Sequence, residues 1–199
     1  EQLDERTVTG GEIAYSLGSG AATTHTFRAM LRYDDIGDVG LFRTANLERR
    51  STVRRDSVEE LALGAFYSNE TRWSDRLRTT LGIRVDHFDF DVTSDLAANS
   101  GSASDSLVSP KANLIYATSD STEVYVSAGK GFHSNDARGT TITADPASGD
   151  PAERVSPLVS SREIEVGFRS FVERRLNVSA ALWYLELDSE LLFIGDAGN

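Results

Sequence analysis

A hairpin of two long strands between residues 58 and 92 constrains the fold of this chain more than any other feature. Apolar residues alternate with polar or small ones on both arms, which is the period of a strand with different surroundings on its two sides. Each arm exceeds the ~9–11 residues that a tilted transmembrane strand needs, whereas strands of soluble domains average about 5–6. The hairpin therefore predicts lipid on one side of a β-ribbon and water on the other.

The same alternation recurs along the chain and predicts an all-β fold, an antiparallel up-and-down meander of about eight long strands. The predicted strands lie near residues 11–18, 24–34, 57–71, 77–92, 108–118, 122–135, 161–171 and 176–188. Short links near 19–23, 72–76, 119–121 and 172–175 alternate with long ones near 35–56, 93–107 and 136–160. Outer-membrane barrels have short periplasmic turns and long external loops, so this asymmetry orients the meander.

Composition excludes several other classes of protein. No apolar run approaches the 18 residues of a membrane helix. The chain has 31 acidic and 20 basic residues, which argues against nucleic-acid binding because phosphate contacts require clustered cations. It has no cysteine, and its three histidines have no metal-ligand spacing, so we predict no metal site and no cofactor.

Three segments resemble the barrel domain of TonB-dependent outer-membrane receptors, and they occur in the family's order and spacing. The first is the hairpin with Gly64-Ala65-Phe66-Tyr67 and Leu81-Gly82-Ile83-Arg84-Val85-Asp86. The second joins Ser109-Pro110-Lys111-Ala112-Asn113-Leu114 to Val124-Tyr125-Val126-Ser127-Ala128-Gly129-Lys130-Gly131-Phe132. The third runs from Glu163-Ile164-Glu165-Val166-Gly167-Phe168-Arg169 through Leu176-Asn177-Val178-Ser179-Ala180-Ala181-Leu182-Trp183-Tyr184. The resemblance covers nearly everything after about residue 25.

The resemblance implies a transmembrane barrel of ~22 strands closed around a plug, in the bacterial outer membrane. Residues 1–199 would be a partial barrel, because the plug domain and the remaining strands have no counterpart here and residues 195–199 look like a loop. Its partners would be outer-membrane lipid, its own plug domain, the TonB complex and a small-molecule ligand. The implied function is energised import of a scarce nutrient, such as siderophore-bound iron or cobalamin.

The alternation assigns side chains to the two faces of the wall. Polar residues expected to face the lumen, where they would dock the plug or simply line a wet wall, are Arg28, Arg32, Glu60, Arg78, Arg84, Asp86, Lys111, Glu163, Glu165 and Arg169. Residues expected to face lipid are Leu61, Leu63, Tyr67, Leu81, Ile83, Val85, Ile164, Val166 and Phe168. Tyr67, Tyr116 and Tyr184 are candidates for the interfacial aromatic girdle.

The predicted external loops are the expected place for ligand recognition, since loops carry specificity on a rigid frame. Candidate ligand-binding residues are Arg49, Arg50, Arg54, Arg55, Asp136 and Arg138, because paired guanidinium donors match the oxygens of an anionic chelate or a lipid phosphate. A plain hydrophilic loop is the simpler interpretation.

Two places strain strict alternation. Beyond Asp86, the residues Phe88, Phe90 and Val92 fall on the face that had been polar, which indicates either a β-bulge or a strand that has left the lipid; we favour the second. Lys130 would share the lipid face with Val126 and Ala128, so it must lie near the rim unless the flanking glycines break the register.

Other functions remain open at this stage. A self-contained eight-stranded barrel with a structural or adhesion role predicts that strand 11–18 pairs with strand 176–188. A soluble β-sandwich is disfavoured by strand length. An enzyme is disfavoured because the polar run His133-Ser134-Asn135-Asp136 would point alternately to opposite faces, which cannot build a catalytic triad.

Overall fold

The computed structural model describes residues 1–172 and 175–189, and they form one antiparallel sheet of eight strands in sequential order. The strands are β1 (Gln2–Ser19), β2 (Thr23–Ala45), β3 (Glu48–Arg72), β4 (Leu77–Ser94), β5 (Gly101–Ser119), β6 (Thr122–Ser134), β7 (Leu158–Val172) and β8 (Leu176–Leu187). A short 3-10 turn (Ala97–Asn99) follows β4, and one helical turn, α1 (Ala137–Thr141), follows β6. The predicted number, type and order of strands are confirmed.

Two of the predicted long loops are wrong. Residues 35–56 continue β2 and β3 as one protruding hairpin, with three register shifts and a two-residue turn at Asn46 and Leu47. Both turn residues have positive φ (54° and 65°), the backbone twist that suits a two-residue hairpin. Only 95–100 separate β4 from β5, so the predicted loop 93–107 is also mostly strand. Beyond the apolar segment one face of the strands becomes polar and the other becomes apolar only where α1 covers it, so the regular alternation that marks strands is lost while backbone pairing continues.

The first strand is longer than predicted, since β1 begins at Gln2 rather than near residue 11. Its pairing with β2 runs from Gln2 opposite Leu41 to Ser19 opposite Thr23, with a register shift at Glu5/Arg6. Of the three predicted long connections, only the one after β6 is long. The predicted loop-like end, residues 195–199, lies outside the described residues.

Buried residues cluster at one end of the sheet rather than through its middle. The cluster lies where β2, β3 and β4 extend toward the connection after β6, and α1 covers it; its buried members are Ile36, Val39, Val58, Phe90, Val92 and Ala137. Elsewhere many large apolar side chains are exposed, including Leu81 at 52% and Val166 at 52%. Because a single sheet cannot bury both of its faces, these side chains require lipid or another partner to cover them.

Glycines make room for large side chains on neighbouring strands. A Cβ on Gly167 would lie 2.6 Å from the Tyr125 hydroxyl oxygen and 2.8 Å from the Ala180 carbonyl oxygen, so the tyrosine ring occupies the space that Gly167 leaves. Tyr125 then donates a 2.6 Å hydrogen bond to Glu165. Gly167 is thus a packing feature of the β6–β7 pair.

Candidate functional site

The sheet has two chemically different faces, and every residue assigned to a face from sequence lies with its group. In the strand ladders Arg28 is opposite Phe66, which is opposite Arg84, and Gly129 is opposite Glu163. We call this side the polar face; it carries all ten residues expected to face the lumen. The other side, the apolar face, carries all nine residues expected to face lipid.

The apolar face ends at a sharp boundary on the side of the long connection. In β2 to β8 the apolar or aromatic side chain at the end of the slab is followed, two residues further on that face, by a charged or polar one. These pairs are Tyr33/Asp35, Leu61/Glu59, Val85/His87, Val108/Ser106, Ala128/Lys130, Ile164/Arg162 and Tyr184/Glu186, for β2 to β8 in order. Such a boundary is what a strand shows where it leaves an apolar slab.

The boundary crosses the strands obliquely. It keeps the same ladder row between β2 and β3, between β4 and β5, and from β6 to β8. Between β3 and β4 it steps four residues, because Val85 at the boundary of β4 is opposite Ala65 rather than Leu61. It steps four more between β5 and β6, because Ala128 is opposite Ala112 rather than Val108. Eight residues at about 3.3 Å, over six strand spacings of about 4.8 Å, correspond to a strand tilt of roughly 40°. Transmembrane barrels tilt their strands by about 35–45°.

Arg-x-Asp pairs stabilise the polar face, because residues two apart on a strand share a face. Arg32 donates to Asp34 at 2.7 Å, and Arg84 donates to Asp86 at 2.7 Å. Arg54 pairs with Asp56 in the same way. All three aspartates are almost fully buried. The sequence contains this signal, since each arginine stands two residues before its aspartate, but alternation alone did not identify it.

The polar face becomes apolar at the end covered by α1, which explains the change of phase in β4. The register between β3 and β4 has no shift from Asp56–Ser94 to Arg72–Arg78, so there is no bulge. Phe90 and Val92 therefore stay on the face of Asp86 and pack with α1. The ring of Phe132 also reaches this side, 5.8 Å from the ring of Phe88. The apolar residues beyond Asp86 are therefore buried by α1, which belongs to the connection after β6.

Asn99 fastens that connection to the sheet, and sequence reasoning missed it. Its amide group is fully buried and donates to the Ala144 carbonyl oxygen at 2.9 Å. Its Oδ1 accepts from the backbone N–H groups of Thr143 at 2.9 Å and Ala144 at 3.0 Å. The Thr141 hydroxyl donates to the Asn99 carbonyl oxygen at 2.8 Å. A lone asparagine in a polar loop carries no sequence signal for such a role.

The candidate ligand-binding residues separate into two groups. Arg54, Asp136 and Arg138 meet at the start of α1: Arg54 reaches the Arg138 carbonyl oxygen at 3.5 Å, and Arg138 pairs with Asp136 at 2.5 Å. The other three lie apart from this cluster and each has an acidic partner: Arg49 with Glu1, Arg50 with Glu48, and Arg55 with Asp38. Since Arg54 also pairs with Asp56, these four arginines form four separate ion pairs and not a single anion-binding surface.

Asp136 is the acidic member of this cluster at the start of α1, and Arg138 determines its protonation. Burial tends to raise the pKa of its carboxyl group, but the hydrogen bonds and charge of Arg138 outweigh burial and hold the pKa below the usual value for aspartate. The same pairing raises the pKa of Arg138. Asp136 also caps α1, since it accepts from the Arg138 backbone N–H at 2.9 Å. Both groups therefore stay charged at neutral pH.

The remaining polar candidates have structural partners. His25 is hydrogen-bonded to Tyr67 at 2.9 Å, and His87 to Ser106 at 2.8 Å. Asn135 donates to the Ser156 carbonyl oxygen at 2.8 Å. In residues 1–172 and 175–189 no group of three or more His, Asp or Glu residues is arranged to hold a metal ion. No helix of the described part is long and apolar enough to cross a membrane.

The open edges of the sheet bear on the alternative of a small closed barrel. Among the described residues β1 pairs only with β2, and β8 pairs only with β7. The pairing of the first and last strands that a self-contained eight-stranded barrel requires is therefore not seen. The strands of residues 1–172 and 175–189 likewise form one sheet, without the second layer of a β-sandwich.

Comparisons with known proteins agree with this architecture. The family model described as "TonB dependent receptor-like, beta-barrel" matches residues 2–199. The chain is similar in structure to the ferric yersiniabactin uptake receptor FyuA from Yersinia pestis (TM-score 0.73, 16% identity, 92% of this chain and 29% of that chain). It is also similar to the ferric citrate transporter FecA (0.68, 17%, 94% and 28%) and to the FrpB iron transporter from Neisseria meningitidis (0.68, 15%, 94% and 30%). No curated protein sequence matches the chain.

Proposed function

Because this chain belongs to the TonB-dependent receptor β-barrel family, whose members are transport proteins of the bacterial outer membrane and not enzymes, we propose that it forms about a third of the wall of a TonB-energised nutrient importer. It spans only 29% of the length of FyuA, so the complete barrel would need further strands and a plug. The partners of that complete protein would be its own plug domain, the TonB complex and outer-membrane lipid.

The oblique boundary on the apolar face is the observation that carries this proposal. An apolar slab bounded by charge, crossed by strands tilted roughly 40°, is the arrangement that a barrel wall needs in a bilayer. The exposed apolar side chains below the boundary then contact hydrocarbon. The polar face would look into the barrel interior, where the Arg-x-Asp pairs keep buried charge neutral.

The polar face supports a plugged interior better than an open pore. Its aspartates are held by neighbouring arginines in pairs, which leaves donors and acceptors at fixed positions for the surface of a plug. Arg78 and Arg169 both contact Glu123, at 2.7 and 2.9 Å, and extend this network to the strands near the short turns. A rigid, charge-paired wall suits a plug that must be held and released.

For the transported ligand, a chemical class can be proposed from the structurally similar proteins. Structurally similar proteins include a ferric yersiniabactin uptake receptor, a ferric citrate transporter and a copper transporter. By analogy, a metal chelate is the first class to test for this chain, and cobalamin is the second. In this third of the wall, the cluster of Arg54, Asp136 and Arg138 is the place where a polar ligand would meet charged groups near the mouth.

Deletion of the gene in its native host tests the transport function. The deletion strain should lose growth under iron limitation with one chelate, among ferric citrate and a panel of ferric siderophores, and a plasmid copy should restore it. Restored uptake should also require an energised inner membrane. Equal growth and equal uptake of every chelate and of cyanocobalamin, with and without the gene, would contradict the proposal.

A further inference from the structure

We propose that Lys130 and Arg162 form a binding site for the phosphate groups of an outer-leaflet lipid headgroup. The inference rests on the proposed contact of the apolar face with lipid and adds a specific headgroup contact to it. The two cations lie on β6 and β7 and are direct cross-strand partners. Both side chains are exposed.

Their height relative to the apolar slab suits a headgroup. Ala128 and Ile164 occupy the last apolar row of the two strands, and Lys130 and Arg162 occupy the next row on the same face. Below them Val126 and Val166 continue the apolar surface, with 42% and 52% of their area exposed. A lipid whose chains cover these side chains would bring its phosphate to the level of the two cations.

The pair is electrostatically unsatisfied. Cross-strand neighbours lie about 4.5–5.5 Å apart at Cβ, and like charges directly opposite each other are destabilising. Neither side chain forms an ion pair with any residue that the structure describes, although most arginines on the polar face do. Glu186 on β8 is the direct cross-strand partner of Arg162 but forms no ion pair with it, so the row of Lys130, Arg162 and Glu186 keeps a net positive charge. A bound phosphate removes the repulsion, and guanidinium and ammonium donors together match its oxygens.

The charges along the rest of the boundary favour binding of an anionic headgroup at Lys130 and Arg162 over the other strands. On β2 and β3 the corresponding positions beyond the slab carry Asp35 and Glu59, and on β4 His87 is followed on the same face by Asp89. That side repels an anionic headgroup. A phosphorylated lipid should therefore bind at β6 and β7 in preference to the other strands of this segment.

The test compares two matched double variants of the complete receptor in detergent. The chain has two lysines, Lys111 and Lys130, on adjacent strands and opposite faces. K130Q/R162Q removes the proposed site, and K111Q/R169Q removes the same charge from the polar face. Binding of diphosphorylated lipid A is measured by native mass spectrometry or fluorescence titration. Dephosphorylated lipid A with the same chains serves as the headgroup control, and inorganic phosphate serves as competitor.

We expect K130Q/R162Q to weaken binding of diphosphorylated lipid A roughly 10- to 30-fold, at about tenfold or less per cation. K111Q/R169Q should bind like the wild type, and inorganic phosphate at the same concentration should not displace the lipid. Equal weakening in both variants, or no preference of the wild type for the phosphorylated lipid, would overturn the headgroup site. Failure of the wild type to bind either lipid would instead count against the lipid contact of the apolar face.

Discussion

Replacing Asn99 with alanine should release the connection after β6 while leaving the sheet intact. The substitution removes three hydrogen bonds of 2.9–3.0 Å that join the side chain to the backbone of Thr143 and Ala144. At about 0.5–1.5 kcal/mol each, with an added cost for polar groups left unpaired in a buried place, the local opening free energy should fall by ~2–4 kcal/mol. The strand ladders do not use this side chain.

Hydrogen exchange measures this effect directly. A loss of ~2–4 kcal/mol corresponds to roughly 30- to 700-fold faster exchange of the Thr143 and Ala144 amides, at tenfold per 1.4 kcal/mol. Exchange in the β3–β4 ladder should not change. Asn113→Ala is the matched control, because Asn113 makes no side-chain hydrogen bond with the described residues. Exchange less than threefold faster at residues 143 and 144 would refute the fastening role of Asn99.

Three further substitutions test the packing and charge of the wall. Gly167→Val should reduce the yield of heat-modifiable folded barrel on gels, because its Cβ overlaps a tyrosine ring, whereas Gly11→Val, with open space around it, should fold normally. Equal yields would contradict the packing role. Arg54→Ala should destabilise the barrel by ~3–5 kcal/mol in denaturant titrations, since it strands a buried carboxylate, whereas Arg50→Ala, which breaks an exposed pair, should cost at most about 1 kcal/mol. Similar costs would refute the burial argument. Because the pKa of Asp136 is lowered on folding, its pairing stabilises α1 above the unfolded pKa of about 3.9 and is lost as pH falls through the lower folded value. Exchange of the α1 amides should accelerate over that acid window in the wild type and not in Asp136→Asn; identical pH profiles would exclude the role.

Alternation within the apolar slab was sufficient to predict the number, order and facing of the strands. Leu61 and Leu63 are separated by Ala62, and Ile164 and Val166 by Glu165, so the two faces of the sheet impose opposite demands on successive residues. The rule fails where those demands end. Asp35 to Ala45 are in β2, yet both faces there meet water or α1, and backbone pairing rather than side-chain pattern holds the strand.

The candidate site was only partly predictable for the same reason. Asp136 and Arg138 were identified by charge, but their meeting with Arg54 depends on the path of a 23-residue connection that has no periodic signal. Asn99 was missed because its role comes entirely from long-range hydrogen bonds to residues 143 and 144. Long-range contacts of single polar residues are the part of this structure that local pattern cannot reveal.

Spin-label accessibility along β3 tests the central claim most directly. The chain has no cysteine, so single cysteines at 60 to 67 can be labelled one at a time in the complete receptor reconstituted in vesicles. Labels at 61, 63, 65 and 67 should collide mainly with oxygen dissolved in lipid, and labels at 60, 62, 64 and 66 should show the opposite preference, with a period of two. Accessibility without that period, or with water reaching positions 61 and 63 preferentially, would contradict a wall with lipid on its apolar face.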